Sequence, residues 1–243
     1  VLFYPTVGST NVIAKTMAAK EAAEGLVILT DEQTAGRGRH GRSWEAPAGS
    51  SILMSLLFRP RLRAGDANLL TMIISLAAID GIGEVTGLEA ALKWPNDVLI
   101  NDLKVGGVLT ESSLIGDRLE YAVVGLGLNV NFDPASVAGI PPTASSLMVA
   151  LGRSVDRLAL VRAILEAADR RYRALAAGRS PSQEWSQCLT TIGQRVRVTL
   201  PDETMEGTAE SVNGQGSLFL RRDDGALVEI AVGDVVTLRS HED

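Results

Sequence analysis

The densest chemistry in this sequence lies between Gln33 and Trp44, where Gly36-Arg37-Gly38-Arg39-His40-Gly41-Arg42 interleaves glycine with cationic side chains. The run satisfies G-x-G-x-x-G, and Gly36 to Ser43 nearly satisfies a phosphate-binding P-loop, with Arg42 where lysine belongs. Both motifs need a helix directly after the glycines, so that its N-terminus can receive phosphate. Trp44-Glu45-Ala46-Pro47-Ala48-Gly49 does not read as a helix. Where a dinucleotide fold places its ribose-binding acid, the chain has Arg59, Arg61 and Arg63. Both motifs are therefore rejected. What is left is a flexible loop whose Arg37, Arg39 and Arg42 can fold over an anion by charge-assisted hydrogen bonds. The same composition also suits a solvated basic turn, so the loop alone decides nothing.

Two further runs carry reactive types at close spacing. Lys93-Trp94-Pro95-Asn96-Asp97, followed by Lys104-Val105-Gly106-Gly107-Val108-Leu109, sets two lysines, an asparagine and an aspartate around a hairpin. Its paired glycines allow a ligand close to the backbone. Gly125-Leu126-Gly127-Leu128-Asn129-Val130-Asn131 is a strand with glycines at alternate positions, so one face lacks side chains. That face can line a narrow pocket, or it can mark a bulge or a sheet contact.

Taken together and in this order, these runs resemble the catalytic region of biotin–protein ligases. The match comprises Ser9-Thr10-Asn11, the Gln33 to Trp44 loop, Lys93 to Asp97, Lys104 to Leu109, and Gly125 to Asn131. The resemblance implies an α+β catalytic domain of the class II aminoacyl-tRNA synthetase type with a small C-terminal SH3-like β-barrel. It also implies biotin, ATP and magnesium as reactants, and a biotin carboxyl carrier protein or carboxylase carrier domain as partner. By the same resemblance, Ser9, Thr10, Asn11, Gln33, Gly36 and the backbone at Arg37 hold the biotin head, and Gly107, Gly125 and Gly127 line its pocket. Arg37, Arg39, Arg42, Trp44, Asn96 and Asn129 attend the adenylate, and Lys104 contacts both biotin and phosphoryl group. Trp44 can equally anchor the loop to the core.

The chemistry so implied joins two anions, a carboxylate and the α-phosphate of ATP, so cations must neutralise the approach. Arg39, Lys104 and magnesium are the candidates, with no metal ligands assigned. In the transfer step an acceptor lysine must lose a proton, and Asp97 is the candidate base or orienter. A lipoate ligase is the enzymatic alternative, and a biotin-binding relative without transfer activity is another. A biotin-responsive repressor would need a DNA-binding module of about sixty residues before residue 1, so a monofunctional ligase is expected.

These residues have to be carried by elements that the hydrophobic pattern predicts. Val12 to Ala23 reads as a helix capped from Ser9-Thr10-Asn11, so the chain is expected to open as a helix feeding a strand, Leu26–Leu29. Ile52–Phe58 is a second strand and Gly65 to Val85 a second helix. Strands are predicted at Ala91–Trp94, Val98–Ile100, Val105–Thr110 and Leu119–Val130, with Asn101-Asp102 as a tight turn. Asp156 to Ala177 is a long helix burying Leu158, Val161, Leu165, Ala168, Tyr172 and Leu175. Short β runs from Val196 to Arg239 then predict the barrel, giving a catalytic domain 1–189 and a second domain 190–243.

The bulk composition narrows the field. At 46% hydrophobic and a net charge of −6, the chain can bury a good core but offers no general nucleic-acid surface. One cysteine, Cys188, excludes an internal disulfide framework, and with only His40 and His241 no structural zinc cluster is expected. No run reaches the roughly 20 uninterrupted apolar residues of a membrane span, and Val1 to Thr6 lacks a secretory pattern, so a cytoplasmic protein is expected. An edge strand can pair with a second copy to give a homodimer, or be covered within one chain.

Overall fold

An apolar stretch such as Ser51–Phe58 has to be covered on both faces, and it forms a fully buried central strand, β3. It belongs to a seven-stranded sheet with β1 (Leu2–Val7), β2 (Val27–Gln33), β4 (Ala91–Lys93), β5 (Asp97–Ile100), β6 (Leu103–Ile115) and β7 (Arg118–Asn129), in the order β1-β2-β3-β7-β6-β5-β4. Only β1 and β2 run parallel; the remaining neighbours are antiparallel. The computed structural model describes residues 1–200 and 203–238.

Strand alternation divides the core into two layers. Ile28, Leu57 and Val123 face Ala14 and Ala18 of α1 (Thr10–Ala18). On the opposite face, Val27, Leu56, Phe58 and Val124 join the larger core around α2 (Asn68–Thr86) and α4 (Arg157–Ala176). Those two helices pack closely at Gly81, where a Cβ would stand 2.5 Å from Ile164 Cγ1. Among the described residues α2 has the length and apolarity to cross a membrane, and it is instead largely buried in this core. Two short helices, α3 (Leu147–Leu151) and α5 (Ser182–Gln187), flank α4.

The structure corrects several expectations. The chain opens with β1 rather than a helix, because Leu2-Phe3-Tyr4-Pro5-Thr6-Val7 is an edge strand largely open to solvent and carries no burial pattern. Helix α1 ends at Ala18, and although Ser9 is its N-cap residue, the side chain makes no capping bond. Helix α4 keeps its expected span, with Asp156 capping Leu158 N and Ala159 N, but its buried face is Leu160, Val161, Ala163, Ile164, Ala167 and Ala168. Leu158, expected inside, is 77% exposed. Asn101 and Asp102 do form the tight turn, both with positive φ.

The C-terminal strands β8 (Arg195–Thr199), β9 (Thr204–Val212), β10 (Leu218–Arg221), β11 (Leu227–Ile230) and β12 (Asp234–Thr237) form an antiparallel sheet ordered β11-β10-β9-β8-β12. Its two outer strands are not hydrogen-bonded to each other, so among the described residues it is a small SH3-like sheet that stays open rather than a closed barrel. Arg239 and His241 lie outside the described residues. This module is seated on the main sheet by buried bonds. Trp94 Nε1 donates to Gly216 O at 2.8 Å, Trp94 N donates to Thr191 Oγ1 at 2.9 Å, and Thr190 N donates to Leu92 O at 2.8 Å.

Candidate active site

The start of α1, the end of β2, the glycine face of β6 and β7, and the tip of the C-terminal sheet enclose one cavity of about 220 Å³. Its polar head is built where β2 ends beside the first turn of α1. Gln33 Oε1 accepts from Thr10 N at 2.8 Å and lies 3.1 Å from Thr10 Oγ1. Ser9, Thr10 and Asn11 line this end and are buried, which suits a ligand with its own donors and acceptors.

The basic run emerges from β2 and closes on itself. Trp44 N donates to Gly36 O at 3.0 Å, Gly38 N donates to Arg42 O at 2.7 Å, and Arg37 bridges Ser43. No helix follows, as the rejection of both phosphate motifs required; the only helical geometry is one 3-10 turn at Arg39–Gly41, inside the run. A side chain at position 36 would strike the Trp44 carbonyl, so Gly36 serves loop closure and does not itself line the cavity.

The expected glycine floor is present. A Cβ at Gly127 would stand 2.5 Å from the Trp44 ring, and one at Gly107 would stand 3.4 Å from it. Gly125 is bare for another reason: the Asn11 side chain crosses β7 there. Lys104 Nζ lies 5.8 Å from the Trp44 ring centroid and 2.6 Å from Asp97 Oδ1. Asn129 does not line the cavity itself. Its Nδ2 donates to Ser145 O, while its Oδ1 and Trp44 Nε1 are buried without a protein partner among the described residues.

Arg39 spans the two modules. It donates to Asn96 Oδ1 at 3.3 Å and to Gly233 O at 3.1 Å, and lies 3.7 Å from Asp234 Oδ1. Burial pulls its pKa below the ordinary arginine value, while Asp234 and Asp97 oppose that shift. Arg42 also pairs with Asp234, and His40 lies 3.9 Å from it. Residues the sequence did not single out therefore belong here: Asp234 from the C-terminal sheet, and a cluster in which Glu111 meets Lys15, Asn11 and Arg37. Their partners are distant in the chain, Arg37 lying 74 residues from Glu111 and Arg42 lying 192 from Asp234, so no local signal marks them. No group of three or more His, Cys, Asp or Glu side chains is placed to hold a metal among the described residues.

The catalytic region, residues 3–129, matches the biotin/lipoate A/B protein ligase family, and residues 191–238 match the biotin protein ligase C-terminal domain. A biotin–[acetyl-CoA-carboxylase] ligase from Mycobacterium tuberculosis is 34% identical over 96% of this chain and 86% of its own length. The chain belongs to the biotin protein ligase family. A bifunctional ligase/repressor from Bacillus subtilis is also 34% identical, over 92% of the chain and 70% of that protein. Among solved structures, the Aquifex aeolicus ligase in complex with biotin and ATP superposes with a TM-score of 0.78 at 25% identity, covering 98% of both chains. The ligase thus has its family's fold along nearly its whole length.

Proposed function

We propose that the chain activates biotin with ATP as biotinyl-5′-AMP and transfers biotin to a lysine of a biotin carboxyl carrier protein domain. The observation that carries this reading is the convergence of four parts in one cavity. These are a buried polar head at Thr10 and Gln33, a glycine floor under Trp44, the Lys104–Asp97 pair, and Arg39.

In the first half-reaction the biotin carboxylate attacks the α-phosphorus of ATP, and the bond to pyrophosphate breaks. Lys104 and Arg39, both of which line the cavity, offset the charge of this approach. Magnesium would enter on the nucleotide phosphates, beside Asp97, and supply further positive charge there. Trp44 offers an aromatic face to the adenine. In the second half-reaction the acceptor amine attacks the acyl carbon, AMP departs, and the amine proton passes to Asp97.

The loop also has to keep water from the anhydride until the acceptor arrives. Asp234 ties Arg39 and Arg42 across the cavity mouth, so the C-terminal module is proposed to help close the nucleotide site. Homodimer formation through the outer edge of β1, where Phe3 is exposed, and a cytoplasmic place of action are the remaining parts of this proposal. Sedimentation of the chain and cell fractionation test these two.

The function is tested by ATP- and magnesium-dependent transfer of biotin, against lipoate, to a carboxylase carrier domain. Biotinylation supports the reading. Lipoylation alone selects a lipoate ligase, and biotin binding without transfer selects a binding relative.

A further inference from the structure

Two lysines flank the hairpin that carries Asp97, and the chemistry above uses only Lys104. The other, Lys93, is half-buried on β4. Its neighbour Leu92 turns into the larger core, so Lys93 is sent to the opposite face of the sheet, the face that carries the cavity. Register fixes its place there. Lys93 pairs with Asp97, Asp97 with Gly107, and Gly107 with Gly127, which makes one row across β4, β5, β6 and β7. Antiparallel partners hold their side chains side by side, yet Asp97 turns to Lys104 at 2.6 Å. Among the described residues Lys93 is left without an ion pair. It does not line the cavity; it stands one strand spacing, about 4.8 Å, beyond Asp97, which does.

The order of the strands gives that place a direction. The biotin head is held over β3 and β7, where Thr10 Oγ1 meets Ser55 Oγ at 2.7 Å and Asn11 crosses Gly125. The Lys104–Asp97 pair stands over β6 and β5, and Lys93 over β4, so the three stations follow one another across the sheet. Phosphoryl transfer sets the attacking and leaving oxygens roughly in line through phosphorus. A carboxylate that reaches an α-phosphorus at Lys104 from the β7 side therefore expels its leaving group away from β7, over β5 toward β4. The bond from carboxylate oxygen to phosphorus forms, the bond from phosphorus to the bridging oxygen breaks, and pyrophosphate departs with that electron pair. Lys93 is the next cation along this line.

We propose that Lys93 is a binding residue for the β- and γ-phosphates of ATP, and hence for the pyrophosphate that leaves. It acts in adenylate formation and its reversal. In transfer to the acceptor lysine it has no part, because pyrophosphate is gone by then. The inference rests on the biotin and ATP reading above.

The test uses the full chain and its Lys93→Gln, Lys93→Met and Lys93→Arg variants, each loaded with preformed biotinyl-adenylate. One portion receives magnesium pyrophosphate and is followed by ATP formation; another receives a carboxylase carrier domain and is followed by biotinylation. In Lys93→Gln the KM for pyrophosphate is expected to rise by about tenfold, the scale of one charge-assisted hydrogen bond, with Lys93→Arg recovering most of the loss. The salt dependence of that KM should flatten in Lys93→Gln, since a charge has left the anion's path. Transfer to the carrier should stay within about twofold of the native rate. An unchanged KM for pyrophosphate would overturn the inference. So would an equal loss in both half-reactions, which would make Lys93 structural, or a higher KM for the carrier alone, which would place Lys93 in acceptor docking. Should Lys93→Gln fail to fold, Lys93→Met keeps the apolar stem and decides the matter. If the native chain forms no adenylate from biotin and ATP, it is the proposed function that fails.

Discussion

Asp97 accepts a 2.6 Å charge-assisted hydrogen bond from Lys104, across the hairpin that joins β5 to β6. The cation proposed for the first half-reaction and the base proposed for the second are thus each other's partner before substrate arrives. Asp97 aims Lys104 into the cavity, and once Lys104 engages phosphate the carboxylate is released to take a proton. Lys104→Ala is expected to lower ATP–pyrophosphate exchange by about a hundredfold or more, the scale for losing one preorganised cationic donor. Asp97→Asn should lower exchange less and slow transfer from preformed biotinyl-adenylate more. Single-turnover assays of each half-reaction separate the two. Equal loss in both steps for Asp97→Asn would remove its role as base.

The Trp44 ring rests on Gly127 so closely that even a methyl group there, 2.5 Å from the ring, must displace it. Gly127→Ala should therefore mimic part of Trp44→Ala. Both are expected to raise the KM for ATP by about tenfold, the scale of one lost aromatic contact with a base. Biotin affinity measured without nucleotide should change less in Trp44→Ala than in Gly127→Ala, because the added methyl also narrows the floor. Steady-state kinetics with calorimetry checks this.

How much of this was legible in the sequence depends on whether a signal is local. The Gly36–Arg42 loop, the Asn101-Asp102 turn and the apolar run of β3 announce themselves, because their residue types and spacing carry the conformation. The face of α4 did not. Leu158 and Leu160 are both leucines two positions apart, and which one is buried follows from the face that α4 turns toward α2, where Ile164 approaches Gly81. β1 was missed because its exposed edge leaves no alternation to read. The open form of the C-terminal sheet was also illegible, since strand runs do not reveal whether the outer pair closes. At the site, the motifs supplied Thr10, Gln33, Arg39, Asp97, Lys104 and Trp44, all of which line one cavity. Glu111 and Asp234 stayed hidden because each lies in an ordinary strand and acquires meaning only from partners brought by the fold.

Asp234 counters two arginines of the basic loop from a different module, Arg39 at 3.7 Å and Arg42 in direct contact. Removing it should let the loop leave the cavity mouth while the biotin head stays intact. Asp234→Ala is expected to speed hydrolysis of preformed biotinyl-adenylate by about tenfold without acceptor, since a tether worth roughly 1.4 kcal/mol is lost. Biotin affinity should change little. Release of AMP from the isolated enzyme–adenylate complex measures this, and a rate equal to that of the native chain would deny the C-terminal sheet any closing role.

Glu111 also gives the fold a signed dependence on pH. Burial alone would raise its pKa, but hydrogen bonds from Lys15 and Asn11 and the charges of Lys15 and Arg37 outweigh that and hold it below the ordinary value of 4.5. The folded state thus binds this proton less readily than the unfolded chain, so stability rises with pH across the interval between the two values. The contribution is fully present above 4.5 and is lost as pH falls through the depressed folded value. Glu111→Gln removes it at every pH. The difference in urea midpoint between native chain and Glu111→Gln should therefore be constant from about pH 6 to 8, where carboxylates are ionised, and should shrink below about pH 4. A difference that grows on acidification would mean that the carboxyl is more readily protonated in the fold than out of it, which the three donors around Glu111 forbid.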